Sequence, residues 1–560
     1  MTPDQLSATI VDVLTGLVDR GEIALPDGVP AEVTIELPRQ KGHGDYATNV
    51  ALQLAKKAGT NPRALGDLIA AALRATDGIA EVEVAGPGFL NVTVEAGAQG
   101  QVAADVVAAG SAYGTSEVLA GRKINVEFIS ANPTGPLHLG HTRWAVLGDA
   151  IGRVLAAAGA DVTREFYIND RGVQMNNFAR SIIASALGEQ KPEDGYAGGY
   201  IDDLAKAVEA AQPGIFALPE PDRTAEVRKV GYAIQLKEQQ DQLDSFNTHF
   251  DVWFSELSLH EEGQEDGGVP HTLERLKDLG HVYEEDGALW MRTTDFGDDK
   301  DRVLIKSDGQ LTYFASDTAY YLNKRARGFE HCIYLLGADH HGYVGRLKAM
   351  AACVGDDPAQ TLDVLIGQLV KIIKDGEELK MSKRKGTFIT LEELKDEIGV
   401  DALRYSLVRY PADSPLALDI AEITKASNDN PVYYVQYAHA RTCRMLANAA
   451  DLGMTLPGDS FDPSLLDHER DGELLRALAE YPRVVASAAE LREPHRIARY
   501  LEDMASVFNK WYDTKECRML PQGDEPAGPA NEARMLLATA TRTVLANGLD
   551  LLGVSAPERM

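Results

Sequence analysis

Apolar positions recur at helical spacing over about 138–158, where Trp144, Leu147, Ile151 and Leu155 share one face and Gly159 follows as a stop. Before this run, 126–129 (VEFI) reads as a short buried strand, and 130–136 is a polar loop punctuated by Asn132-Pro133 and Gly135-Pro136. After it, 163–168 reads as a second strand. Strand, helix, strand is a β-α-β unit, which places the two strands parallel in one sheet.

The rest of the chain sorts around this unit. Residues 1–112 read as a small α/β domain: a helix, a strand at 33–37, two helices with Asn61-Pro62 opening the second, strands at 81–85 and 89–94, and a helix at 101–109. Residues 113–400 form a central α/β body. Its alternation lapses at about 187–297, read as an insertion with a long helical stretch over 224–257. Strand-like runs resume at 302–306, 311–315, 332–336 and 366–372. Beyond 401 strand signals fade, and helical runs at 433–450, 472–489 and 496–511 predict an all-α bundle.

Length and composition narrow the class. A chain of 560 residues with 44% hydrophobic content supports several cores. Cys332, Cys353, Cys443 and Cys517 are far apart and form no CxxC pair, so they are read as apolar fillers and neither a disulfide framework nor a cysteine metal site is expected. The first ten residues carry Asp4 and no charged-then-apolar leader, and no apolar run reaches membrane-spanning length, so a cytoplasmic protein without a membrane partner is expected. The net charge of −30 argues against a polyanionic partner taken over the whole chain. The charges are segregated, however: acids crowd 261–266, 284–286 and 295–301, and cations crowd 371–385 and 483–499. An acidic body with a basic track still binds RNA, in a salt-sensitive way.

Two motifs carry chemistry. His138-Leu139-Gly140-His141 lies at the strand-to-helix junction, where free N–H groups and the helix dipole attract phosphate. Gly140 lets a flat or charged ligand approach the turn. Taken alone, HLGH is equally compatible with two ordinary histidines. Far downstream, Lys380-Met381-Ser382-Lys383 begins a compact cationic loop. No phosphate loop of the form GxxxxGK(S/T) occurs, so ATP, if bound, is held another way.

HLGH after the first strand and KMSK much later together resemble the paired signature of class I aminoacyl-tRNA synthetases. VEFISANPTGPLHLGH, FYINDRG at 166–172, YLLGADHHGYVGRL from Tyr334, GDYATNVALQLAKKAGTNPRAL from Gly44 and the final LLGVSAPERM are similar to arginyl-tRNA synthetases, and the likeness spans essentially the whole chain. The resemblance implies a Rossmann-type parallel-sheet catalytic domain (113–400) with an insertion, a small N-terminal α/β domain that touches tRNA, and a C-terminal helical anticodon-binding bundle (401–560). The implied reaction activates arginine with ATP, releasing pyrophosphate, and passes the arginyl group to the 2′-hydroxyl of the terminal adenosine of tRNA(Arg).

His138, Gly140, His141, Lys380 and Lys383 are the implied catalytic residues. Gly337, Asp339, His340, Met381 and Ser382 are assigned to ATP, with Mg²⁺ carried on its phosphates. The resemblance places Glu127, Asn132, Tyr313 and Asp317 around arginine. A planar cation calls for carboxylates, and Tyr313 and Asp317 share a face if the segment is helical. Phe89, Asn91, Tyr434, Gln436, Tyr437 and Arg441 are candidate tRNA contacts by stacking and hydrogen bonding. Two departures stand out: Val344 occupies a place where many relatives have Gln, and Gly135 one where many have Lys, while Lys383 is intact. A monomer is expected. A small-molecule nucleotidyl transferase and a non-catalytic tRNA-binding paralogue are the competing readings.

Overall fold

The computed structural model describes residues 1–38, 43–260, 268–340, 342–378, 389–458, 461–523 and 525–560, with Asp339 described by its backbone alone. At its centre is a five-stranded, wholly parallel sheet. Its order is Leu362–Gly367, His331–Gly337, Lys123–Glu127, Asp161–Ile168, Val252–Ser255. The helix Leu139–Ala157 packs on it and is buried along most of its length. Gly148 is required there, because a Cβ would stand 2.1 Å from Cγ of Phe128.

The predicted β-α-β unit is present, with Val126 beside Arg164 in parallel register. A buried network joins it to a helix much later in the chain, Tyr313–Ala326. Glu165 receives both terminal nitrogens of Arg327 (2.6 and 2.8 Å), the Tyr320 hydroxyl (2.6 Å) and the Asn125 amide (3.2 Å). Burial pushes the Glu165 carboxyl up, but the Arg327 fork and nearby Lys324 outweigh it and hold the group below its ordinary value.

Several local expectations are corrected. Residues 33–37 form no strand beyond one bridge, Glu36 to Ala47. Their backbone groups go elsewhere: Ser7 Oγ accepts from the Val33 N–H, and the Ile35 carbonyl accepts from Arg483. Residues 311–315 are not a strand, because Thr312 caps a helix there by accepting the Ala315 N–H. The helix expected over 224–257 ends at Ser245, where Asn247 turns the chain at φ 56°, and Val252–Ser255 becomes the edge strand of the main sheet. Part of the expected insertion is therefore nucleotide fold.

Arg302–Ile305 is a strand, but of a separate antiparallel sheet with Val282–Glu285 and Ala288–Met291. The run at 366–372 is divided between Leu362–Gly367 and Val370–Lys374, which lie in different sheets. Strand pairing also continues past 401, since Leu416–Asp419 lies parallel to Val370–Lys374. Beyond it come the long helices Pro431–Asp451, Glu469–Leu491, His495–Asp513 and Pro529–Leu551, whose apolar faces share one core with the Leu139–Ala157 helix. The N-terminal domain keeps its own core around Leu6, Ile10, Leu65 and Val92. No helix among the described residues is long and apolar enough to cross a membrane.

Candidate active site

The strand Lys123–Glu127 ends in a tight loop in which Ile129 (φ 68°) and Ser130 (φ 48°) are both left-handed. Non-glycine residues hold that conformation only where their surroundings impose it. Here Ser130 Oγ donates to Glu127 (2.9 Å) and accepts the Tyr167 N–H (3.3 Å). Gln239 donates to the carbonyls of Asn132 (3.1 Å) and Gly135 (2.7 Å), leaving the Asn132 side chain exposed.

The helix then begins at His138. Its Nδ1 accepts the Gly140 N–H (3.1 Å), and Nδ1 of His141 accepts the His138 N–H (3.3 Å). The two rings stack with centroids 3.8 Å apart. With both Nδ1 atoms accepting, the proton of each neutral ring is assigned to Nε2, which makes Nε2 a donor for a phosphate oxygen. Gly140 matters for a reason the motif did not reveal: a Cβ there would press on His138 Cε1 at 2.9 Å. Directly beside this turn, Leu139 N–H donates to the Ile389 carbonyl (3.2 Å) and Leu391 N–H to that of Leu137 (2.9 Å). Lys380, Met381, Ser382 and Lys383 lie outside the described residues, but the chain leaving them is thus stitched to HLGH.

A second group of side chains lies at the carboxyl ends of the strands, where parallel sheets bind ligands. Glu127 is buried and paired with fully buried Lys324 at 2.6 Å. The Lys324 ammonium also sits over the rings of Tyr334 (3.9 Å) and Tyr320 (4.3 Å). Asp317, one turn into the Tyr313–Ala326 helix, accepts from the Tyr343 hydroxyl. Burial pushes its carboxyl up to about 7; the Tyr343 bond opposes this, while neighbouring Glu127 and Glu256 add to it. Tyr313 is 74% exposed at the start of the same helix.

Glu256 was not singled out from the sequence. It is buried immediately after Val252–Ser255, and burial raises its carboxyl, with Arg171 and the Tyr167 hydroxyl acting the other way. Its signal was position after a sheet strand, the same place Glu127 holds. That signal was hidden because 252–255 read as helix.

Surfaces away from this pocket carry the remaining candidates. In the N-terminal domain Phe89 (43% exposed) lines a cavity of about 450 Å³ with Asn91, which is buried and has Nδ2 3.1 Å from His43 Nδ1. On the helix Pro431–Asp451, Tyr433 and Tyr437 stack at 5.9 Å. Arg441 lies over Tyr437 and Tyr512 and donates to Asn509 (2.8 Å). The expected basic run at 483–499 lines a groove of about 1050 Å³ with Arg476 and Lys510.

Three family models match: the arginyl tRNA synthetase N terminal domain over 4–94, the catalytic domain of class I (R) tRNA synthetases over 104–212 and 219–409, and the DALR anticodon binding domain over 435–560. The chain belongs to the class I arginyl-tRNA synthetases. Curated arginine–tRNA ligases of Kineococcus radiotolerans and Paenarthrobacter aurescens are each 54% identical over 561 residues, covering all of both chains. Among solved structures, a putative arginyl tRNA synthetase from Campylobacter jejuni is 31% identical with TM-score 0.73, over 83% of this chain and all of its own. The Thermus thermophilus arginyl-tRNA synthetase shares the fold, with TM-score 0.74 at 22% identity over both full chains.

Within this arginyl-tRNA synthetase fold, His138, Gly140 and His141 form one turn, and Gly337 ends the strand next to theirs in the sheet, followed by the short turn Ala338–His340, with His340 exposed. Glu127 acts electrostatically on Asp317, but Glu127 already has a cationic partner. Tyr343, next to half-buried Val344, supplies the polar contact on Asp317. Tyr434 is half-buried, and Gln436 is turned inward: its amide donates to Asp401 (2.8 Å) and to the Ser555 carbonyl (2.9 Å). That geometry ties the C-terminal segment to the catalytic body.

Proposed function

We propose that this chain joins arginine to tRNA(Arg) with ATP, through an arginyl-adenylate, using the residues described above. The observation that carries the reading is one turn of helix, His138–His141, with two imidazoles oriented by their Nδ1 bonds, reached by the loop that leaves Glu127 at the end of its strand, while Glu127 and Glu256 act on the carboxyl of Asp317. In the first step the arginine carboxylate attacks the α-phosphate of ATP and pyrophosphate leaves. Nε2 of His138 and His141 donates to phosphate oxygens as charge spreads over them, aided by the dipole of the helix N-terminus. Lys380 and Lys383 neutralise the leaving pyrophosphate, and Met381, Ser382, Gly337, Asp339 and His340 border the nucleotide. Mg²⁺ arrives on the ATP phosphates. Among the described residues no group of three or more His, Cys, Asp and Glu side chains is placed to hold a metal, and a hard cation that retains its waters suits phosphate better.

Asp317 and Glu256 receive the guanidinium, while Asn132 and Tyr313 border the amino acid. Glu127 acts as half of a neutral pair with Lys324. In the second step the 2′-hydroxyl of the terminal adenosine attacks the arginyl carbonyl and AMP leaves.

We assign tRNA contact to residues 1–112 through exposed Phe89, with buried Asn91 supporting the cavity beneath it, chemistry to a body starting at 113 whose strands reach Asp419, and anticodon contact to the bundle through Tyr434, Tyr437, Arg441 and the Arg499–Lys510 groove. A cytoplasmic monomer completes the reading. The test is ATP–pyrophosphate exchange with each of the twenty amino acids, with and without total tRNA. Exchange with arginine alone among them supports the assignment. Exchange with another amino acid overturns the pocket, and exchange with none overturns the enzyme.

A further inference from the structure

Arg143 lies two residues beyond the HLGH motif, on the same helix, and is 1% exposed. Its Nη1 donates to the carbonyls of Gln368 (2.9 Å) and Ser414 (2.9 Å), and its Nη2 to that of Pro411 (2.8 Å). Nε is buried without a partner. Among the described residues no carboxylate pairs with it; exposed Asp413 acts only at longer range. Burying a cation on carbonyl dipoles alone is costly. An apolar side chain of similar volume would fill the space but leave these three carbonyls without the donors, so what the guanidinium adds is a directed set of bonds.

The acceptors show what those bonds hold. Gln368 is in the break between Leu362–Gly367 and Val370–Lys374, and the second of these strands leads toward the lysine-rich motif. Pro411 and Ser414 precede Leu416–Asp419, which pairs with Val370–Lys374. Trp144, the next residue, lies so close over Gly367 that a Cβ there would meet its ring at 1.5 Å. On the other side of the motif, Leu137 and Leu139 are bonded to Leu391 and Ile389, just after the lysines. One turn of helix is therefore held between two anchors. One, through Arg143 and Trp144, grips the chain before the second motif at Gly367 and Gln368 together with Pro411 and Ser414 ahead of the strand paired beside it, and the other grips the chain just after the motif at Ile389 and Leu391. The imidazoles sit in between, with His141 about 3 Å along the helix axis from Arg143.

We propose that Arg143 is a positioning residue for adenylate formation, setting the His138–His141 turn in register with the strand that leads to the lysine-rich motif. A planar three-bond fork fixes direction as well as distance, which a single charge or an apolar contact does not. The inference rests on His138 and His141 facing phosphate. Displacement of such groups by about 1 Å costs up to about 100-fold in rate.

The experiment compares wild type, Arg143→Met, Arg143→Lys and Leu155→Ala in arginine-dependent pyrophosphate exchange with tRNA present, alongside thermal melts. Leu155 is a core residue near the far end of the same helix and serves as the stability control. For Arg143→Met we expect kcat per folded molecule to fall roughly 10- to 100-fold. The arginine KM should stay within about twofold, because the acid pocket is untouched. Arg143→Lys should recover part of the loss, and Leu155→Ala should melt earlier with kcat unchanged. If Arg143→Met does not fold, Arg143→Lys decides alone: a lowered kcat at unchanged arginine KM supports the proposal. Wild-type kcat in whichever Arg143 variant folds overturns it, as does a loss matched by Leu155→Ala. An inactive wild type would instead overturn the function on which the proposal rests.

Discussion

Glu127 and Asp317 are both acids that the family resemblance implies for arginine, yet their surroundings differ sharply. Glu127 has Lys324 at 2.6 Å, and that lysine is wholly buried between aromatic rings. Its charge is already spent inside the protein. Asp317 has a tyrosine hydroxyl, two acidic neighbours and, with a weaker influence, Arg346 stacked on that tyrosine, and burial still holds its carboxyl up at about 7. A cation arriving there relieves repulsion and gains a charged hydrogen bond. Identical chemistry in the sequence thus becomes scaffold in one place and, in the proposed reading, receptor in the other, according to whether a counter-ion is bonded directly to the carboxylate.

The comparison breaks most directly at the paired acid. Glu127→Gln strands the Lys324 ammonium and should cost about 3–5 kcal/mol in urea unfolding, whereas Glu127→Gln with Lys324→Met should regain most of it. A single variant as stable as wild type would mean that the pair is not internal. Next, Asp317→Asn should raise the arginine KM by roughly 10- to 100-fold, the worth of a charge-assisted hydrogen bond, with the ATP KM within about twofold. Equal changes in both would remove Asp317 from the guanidinium.

The pH dependence sharpens the contrast further. Asp317 is neutral below its raised value of about 7 and charged above it. Arginine, which selects the carboxylate, should therefore bind roughly tenfold more weakly at pH 6 than at pH 8. This slope should vanish in Asp317→Asn. The smallest effect is expected for Tyr343→Phe. Losing a bond that favours the charged carboxylate should move the midpoint of that slope upward and weaken arginine binding at pH 7 by about 1 kcal/mol. A downward move would contradict the assignment of the hydroxyl as donor.

The legible parts of this protein were those whose signal is local. The His138 helix start and the turn at Gly86–Gly88 between two N-terminal strands could be read from neighbours in the chain. Illegible parts had short segments whose identity depends on distant partners. Val252–Ser255 is four residues long, follows a 24-residue helix, and is a strand only because Asp161–Ile168 offers a free edge. Glu256 was lost with it. Gln436 looked like an outward RNA contact among tyrosines and is instead held by Ser555 and Asp401.

By itself the sequence determined the family and the order of the α/β and helical parts, because motifs and periodicity are carried by adjacent positions. The tertiary structure alone decided what each charged group is worth. Lys324 reaches Glu127 across 197 positions and Arg143 reaches Ser414 across 271. Whether a buried charge is compensated depends on the groups folded against it, and those lie far away along the chain.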